Sequence, residues 1–567
     1  MSSTLITTRL KLPKRTRVNV CQSKKGCFTC KARRVKCDEA KPSCLMCQRV
    51  GKLCQGYSSS TSQDSAILIN KHPPSNGSVA NGLLLDLNKD TGSSQHLRLG
   101  SQVLLRDLYG TLMLNGDSVC LDVLPQFTLL NDAVARAVAT FGAVYEAVFI
   151  LRSQRGLLSA SAHYTKALAS LYDDLAARKD GPVPAFLASI ILAASQVLVQ
   201  HYTDSLAHIR GAFTVLNNFI SPPGAIGASS RGIASLPLSK TIEDRLYIFA
   251  QSLDVLIACY VLHRAPTLPA SFNADILNEP SCTSHPQNAS VSLQTLIHHC
   301  YHVANQASPF KYQSTSKHPA QVVDQQRRCI AYLNQWLIKC DMDRQKWAKE
   351  SAHNQSHNLY LLLRVQCLST LIYLSTILSP HEMAYDSYSV YFEQIIDCAS
   401  QIFQSLSTKL STRSHCPFRL QPGLGQALFL TSLKHRNPSQ RRIAISLLSQ
   451  TGIEGPWNSA ILCQVARRAV EIEESASFPD PDSDMVGTAH RHYTEDKNFN
   501  RKIPERYRLN GCGMNSEAGN MEANKPVMVD FSLCNDMEAM IQSSDFEDPR
   551  HWTIWRESLE VCSRFFE

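Results

Sequence analysis

What this 567-residue chain lacks narrows its function before any motif is read. No stretch reaches the roughly 18 uninterrupted apolar residues that a membrane span needs. The nearest, residues 186–199, is broken by Ser and Gln and reads as a buried helix, so no membrane partner is expected. The first 20 residues mix basic and polar groups without the apolar run of a secretory leader, so an intracellular, reducing compartment is expected. No P-loop, GxGxxG turn, HExxH or GxSxG motif is present, which argues against an enzyme. Charge is also modest: 19% of residues are charged against 44% hydrophobic, so most of the chain should fold.

The net charge of +9 is not spread evenly. Residues 1–57 hold 14 Lys and Arg against Asp38 and Glu39, a net of +12, and leave the other 510 residues at −3. A basic head on a near-neutral body points to a polyanion that meets the head alone. Residues 1–20 read as a basic disordered arm, with Lys11-Leu12-Pro13-Lys14-Arg15-Thr16-Arg17 at its centre, suited to nuclear import or phosphate contact. Residues 58–96 open with Ser58-Ser59-Ser60-Thr61-Ser62 and read as a flexible linker. Leu83 to Leu87 in that linker does not sustain two heptads, so a coiled coil there is not supported. A homodimer formed in another way stays open.

Residues 97–475 carry helical periodicity in segments of ten to twenty-five residues, including 132–151, 159–177, 185–200, 204–219, 242–263, 321–348, 357–378 and 390–410. Breakers such as Ser221-Pro222-Pro223-Gly224 lie between them. Residues 476–540 lose periodicity around Pro479-Asp480-Pro481-Asp482 and read as a disordered insertion. Residues 541–567 regain helical spacing through Trp552, Trp555, Leu559 and Phe565, and a C-terminal helix docked on the body is expected. His298, His299, Cys300 and His302 share one helical segment. With no further ligand near in sequence, they read as satisfied histidines rather than a metal site.

Against these absences stands one dense feature. Seven of the 20 cysteines fall in the first 54 residues, and six keep the spacing Cys27-x2-Cys30-x6-Cys37-x6-Cys44-x2-Cys47-x6-Cys54. Zinc takes four ligands in a tetrahedron and accepts thiolates readily. Two separate ions need eight contacts, and six thiolates meet that number if two of them bridge. The repeat of a CxxC pair and a single cysteine makes Cys27 and Cys44 the bridging pair. One four-cysteine site would strand two thiols. A cross-braced site needs eight ligands with a His, and no His lies between Cys21 and Cys54. Iron–sulfur runs are spaced more tightly. Cys21 falls outside the repeat and reads as a thiol of the arm.

Four cations, Lys31, Arg33, Arg34 and Lys36, sit between Cys30 and Cys37. Lys, Ala and Arg favour a short helix, which two metal ligands would anchor. Arginine can grip guanine through O6 and N7, while lysine more often meets phosphate. The same cations also offset a metal core of six thiolates and two divalent ions.

Residues 26–39, Gly-Cys-Phe-Thr-Cys-Lys-Ala-Arg-Arg-Val-Lys-Cys-Asp-Glu, together with Cys54-Gln55-Gly56-Tyr57, resemble the fungal zinc binuclear cluster transcription factors. The resemblance implies two Zn2+ ions and a cluster that reads CGG-type triplets of double-stranded DNA from the major groove. It places base contacts on Arg33 and Arg34 and phosphate contacts on Lys31 and Lys36, and it gives Pro42 the loop between the halves. Better-known members carry lysines at the base-reading positions. The helical body is similar, more weakly, to the regulatory domain of these factors at His208-Ile209-Arg210-Gly211-Ala212, Arg441-Arg442-Ile443-Ala444 and Gly455-Pro456-Trp457.

The expected architecture is a small zinc binuclear cluster domain (residues 21–57) joined by a flexible linker to a large all-α regulatory domain. The expected function is a nuclear regulator of RNA polymerase II genes that works with the transcription machinery, in the family's range of fungal metabolic or secondary-metabolite control. The alternative is a co-regulator or scaffold that acts through the helical body without reading sequence.

Overall fold

In the computed structural model, described residues are 30, 35, 37–38, 44–50, 93–112, 119–177, 182–219, 240–260, 265–279, 282–350, 353–407, 418–419, 422–477, 503–514, 526–543, 545 and 548–560. The chain divides into two units, Met1–Val79 and Ala80–Glu567. The basic arm, Cys21 and almost all of the expected linker lie outside the described residues. So do Cys27, Lys31, Arg33, Arg34, Lys36, Pro42 and Cys54.

Among the described residues of the first unit, Cys30 is helical and one short helix has both ends described, α1 (Leu45–Gln48). Among its described residues, Cys30, Cys37, Cys44 and Cys47 are buried, with Val35 and Met46 packed against them.

The second unit is mostly helical, as expected. Its first half comprises α2 (Ser93–Leu112), α3 (Val119–Leu130), α4 (Asp132–Tyr145), α5 (Gln154–Ala177), α6 (Pro182–Leu198), α7 (Tyr202–Phe219) and α8 (Lys240–Tyr260). Its second half comprises α9 (Pro286–Ala307), α10 (Ala320–Glu350), α11 (His353–Thr376), α12 (Ser389–Ser407), α13 (Gly425–Lys434), α14 (Pro438–Leu448) and α15 (Ser459–Ser477). Helix α2 begins at Ser93, inside the segment expected to be linker.

Local signals explain several starts. The Asn131 side chain accepts from the Val134 N–H and caps α4. Asn437 caps α14, with Pro438 at its first position. A π-turn, Glu146–Ile150, ends the α4 segment. Residues 132–150 and 356–376 are long and apolar enough to span a membrane, yet both lie mostly inside the body and serve as core helices.

Each half has its own apolar core. The first gathers Phe141, Phe186, Phe213 and Tyr247; the second gathers Trp336, Trp347, Leu362 and Phe392. Helix α8 serves both, since Leu253 and Ile257 face one core while Val255 and Leu256 face the other. Helices α2 and α4 cross with backbones in contact. A Cβ on Gly142 would stand 2.0 Å from the His96 carbonyl oxygen, and one on Gly100 would stand 2.1 Å from that of Val138.

A three-stranded sheet is built from β1 (Phe418–Arg419), β2 (Ile453–Glu454) and β3 (Trp457–Asn458), with β1 parallel to β2 and β2 antiparallel to β3. Gly455 turns the β2–β3 corner at φ 53°. The Glu454 carboxylate accepts the N–H groups of Gly423, Leu424 and Gly425 at 2.9–3.1 Å and so holds the start of α13.

The C-terminal region departs from expectation. A second sheet, β4 (Gly511–Met514), β5 (Val527–Cys534) and β6 (Trp552–Leu559), is antiparallel throughout, and α16 (Met537–Gln542) lies between β5 and β6. In its described part, the segment expected to dock as a helix instead holds the end of α16, a 3-10 turn at Pro549–His551 and strand β6. Trp552, Trp555 and Leu559 fit a helical period, but Thr553, Ile554 and Trp555 favour a strand, and β5 supplies eight paired residues from Val527↔Leu559 to Cys534↔Trp552. Trp555 stacks on Phe531 at 5.7 Å.

Residues 503–514 and 526–540, expected to be disordered, are likewise ordered; residues 478–502 and 515–525 lie outside the described residues. Buried ions explain part of this. Arg508 forks onto Asp386 at 2.6 and 2.9 Å, and Glu505 accepts the N–H groups of Glu382 and Met383. Beside them Glu382 receives Lys434 at 2.6 Å, Arg436 at 3.4 Å and Lys311 at 3.6 Å. Glu473 takes Arg441 at 2.8 Å and Arg436 at 3.1 Å.

Candidate metal centre

Among the described residues, Cys30, Cys37 and Cys44 form the one group of three or more ligating side chains close enough to share an ion. Their sulfurs lie within 4.8 Å of one another, and all three residues are buried. Cys30 Sγ is 3.6 Å from Cys44 Sγ and 3.8 Å from Cys47 Sγ. These separations far exceed the roughly 2.05 Å of a disulfide. They match the edge of a thiolate tetrahedron, about 3.8 Å when the Zn–S bond is about 2.3 Å. The donor set and its spacing therefore fit zinc.

The triad also crosses the internal repeat. Cys30 and Cys37 belong to the first half, and Cys44 opens the second. A second-half thiolate placed among first-half ligands is what a shared sulfur at Cys44 requires. Cys27 and Cys54 lie outside the described residues.

One residue of this centre was not singled out from the sequence. Asp38, next to Cys37, accepts the N–H of Leu45 at 2.9 Å and that of Met46 at 3.0 Å. The α1 start at Cys44 has no side-chain cap of its own, so Asp38 supplies one from the other half. An acidic residue beside a ligand and seven residues before an unsatisfied helix start was the available signal.

The family model described as "Fungal Zn(2)-Cys(6) binuclear cluster domain" matches residues 25–64, which include all six cysteines of the repeat. The chain carries a fungal zinc binuclear cluster domain. This domain binds two zinc ions, which supply positive charge and fixed anchor points for the thiolates.

Relatives share more than the cluster domain in one case. The aspercryptin biosynthesis cluster-specific transcription regulator atnN of Emericella nidulans is 28% identical over 215 residues, 34% of this chain and 35% of that protein. Most of that stretch must lie outside the 40 residues of the domain match. The transcriptional regulatory protein moc3 of Schizosaccharomyces pombe is 48% identical over 46 residues, 8% of this chain and 9% of its own. The pestheic acid cluster transcriptional regulator 3 of Pestalotiopsis fici is 54% identical over 39 residues, 7% of each chain. The chain thus matches about a third or less of the length of these relatives. No solved structure matches it.

The other residues weighed in the sequence sit in the body's framework. His298 Nε2 lies 3.3 Å from Asp254 Oδ2, its Nδ1 meets Gln251, and His302 donates to the Leu268 carbonyl. The carboxylate missing from the local sequence comes from α8, and these contacts tie the histidines into the core. His208 meets the Tyr164 hydroxyl at 2.7 Å. Arg442 pairs with Glu474 at 2.7 Å, and Trp457 donates to the Leu256 carbonyl.

Proposed function

We propose that this protein is a nuclear, sequence-specific DNA-binding regulator of RNA polymerase II transcription. The observation that carries the reading is the Cys30–Cys37–Cys44 triad, inside a matched binuclear cluster domain and beside a strongly basic segment. Cys27, Cys30, Cys37, Cys44, Cys47 and Cys54 are the six ligands, with Cys27 and Cys44 shared between the ions. Arg33 and Arg34 read base edges of a CGG-type triplet, Lys31 and Lys36 hold phosphates, and Pro42 shapes the loop between the halves.

The helical body is the regulatory part, facing the transcription machinery rather than catalysing a reaction. The cleft between α10, α11 and α12, about 400 Å³, holds one ion pair made within its own lining. Arg364 lies 2.6 Å from Asp341, which also accepts from the Tyr360 hydroxyl. One relative is named as a regulator specific to an aspercryptin biosynthesis cluster and another as a pestheic acid cluster regulator, which favours secondary-metabolite genes as targets.

The test is a mobility shift with the full-length, zinc-loaded chain. It should retain a duplex that carries CGG triplets over a scrambled one, and Arg34→Ala should abolish the preference. Equal binding to all duplexes would overturn sequence reading and favour the scaffold.

A further inference from the structure

Helix α5 packs on the body with only one face. Ala160, Ala167 and Leu171 are buried there. One outward side carries Leu158, Thr165, Leu168, Tyr172 and Leu175, all exposed, at intervals of seven, three, four and three residues. That spacing keeps them on one side of a helix. Leu158 is 73% exposed and Tyr172 72%, values usual for lysine rather than for the apolar seam of a helix. Ile150 and Leu151, just before the helix, are also exposed, 51% and 57%.

Charge says what fits this face. Arg155, Lys166 and Asp173 are exposed along one flank of the seam, cations toward the N-terminus and the acid toward the C-terminus. In a parallel two-fold pair this flank would face the partner's other flank, so these charges would not meet one another. An antiparallel copy centred between Lys166 and Ala167 places Leu158 against Leu175, Ser161 against Tyr172 and Thr165 against Leu168. It also sets Asp173 of one copy between Arg155 and Lys166 of the other, about 8 Å along the axis from each at 1.5 Å per residue, so that unlike charges flank one another across the pair. The pattern complements itself through a two-fold axis, as an isologous dimer interface requires.

We propose that α5 is a self-association surface, on which two copies of this chain pair antiparallel through the Leu158–Leu175 seam. This route to a dimer needs no linker coiled coil and does not depend on the DNA-reading proposal. Paired bodies would hold two zinc domains in one assembly.

Sedimentation of the full-length, zinc-loaded chain without DNA tests it. The wild type should rise from one-chain to two-chain mass with concentration. L158E/Y172E should stay at one-chain mass with unchanged helical circular dichroism, since both side chains are exposed. D173K alone and R155D/K166D alone should each weaken the dimer, and the triple variant should regain it, because reversing both signs restores every cross-pair. A wild type that stays at one-chain mass throughout, a dimer indifferent to L158E/Y172E, or a triple variant no better than its parents would each overturn the proposal. The last two would assign the seam to another partner or to this chain itself.

Discussion

The carboxylate of Asp38 closes onto the N–H of Leu45, 2.9 Å away and seven residues along the chain, and in doing so ties one half of the cysteine repeat to the other. The adjacent N–H of Met46 is held by the second carboxylate oxygen. A charge-assisted cap of this kind is worth about 1–2 kcal/mol. Asp38→Ala should therefore lower zinc affinity roughly tenfold, with Asp38→Asn intermediate, as read by competition with a chromogenic chelator.

Chelation should separate the two units. The described buried residues of the first unit are cysteines placed to share a metal, so folding there should depend on the metal. Excess chelator at neutral pH should abolish DNA binding while the far-ultraviolet helical signal, which comes from the second unit, stays nearly constant. A loss of most of that signal would contradict two independently held units.

Within the basic segment the roles should divide by assay. Arg33→Ala and Arg34→Ala should each cost about 1–3 kcal/mol on a CGG duplex and little on a scrambled one. Lys31→Ala and Lys36→Ala should weaken both duplexes alike and make the salt slope shallower by about one. Titrations at several salt concentrations distinguish the two patterns.

Glu382 should be the acid-sensitive point of the helical body. Burial pushes its carboxyl up, but Lys434, Lys311 and Arg436 outweigh burial and hold it at about 2, below the ordinary 4.5. A carboxylate depressed in the folded state stabilises fully above its unfolded value, and that contribution drains away as pH falls through the folded value. Thermal unfolding should thus show stability falling between about pH 4.5 and 2. Glu382→Gln should flatten this dependence. Glu382→Ala, which strands buried cations, should cost about 3–5 kcal/mol at neutral pH.

The α2–α4 crossing should tolerate no side chain. Gly142→Ala places a Cβ against the His96 carbonyl and must push the backbones apart, at a cost of about 1–3 kcal/mol or more. Denaturant unfolding of the full chain measures it, with an exposed α5 alanine changed to serine as control.

The cysteine centre was legible because ligation depends on residue type and short spacing, both local properties. The repeat led to the zinc reading, and the structure brought Cys30, Cys37 and Cys44 together in agreement with it. The helical body was legible for a similar reason, since the 3.6-residue period is written within each segment. Asp38 was missed because its partners, the Leu45 and Met46 N–H groups, belong to the backbone, which left its place beside Cys37 and before the helix start as the signal.

Sequence alone thus determined the metal chemistry, the basic head and the helical character of the body. Tertiary structure decided what needed a distant partner. Residues 552–559 suit either period, and only the row of N–H and C=O groups on β5 made them a strand. Glu382, Glu473 and Arg508 look like ordinary surface charges in the sequence, yet packing places them in the interior, where each survives only because its counter-ion arrives from another element. The apolar residues of α5 likewise look like core in the sequence, and only the fold left Leu158 and Tyr172 facing outward.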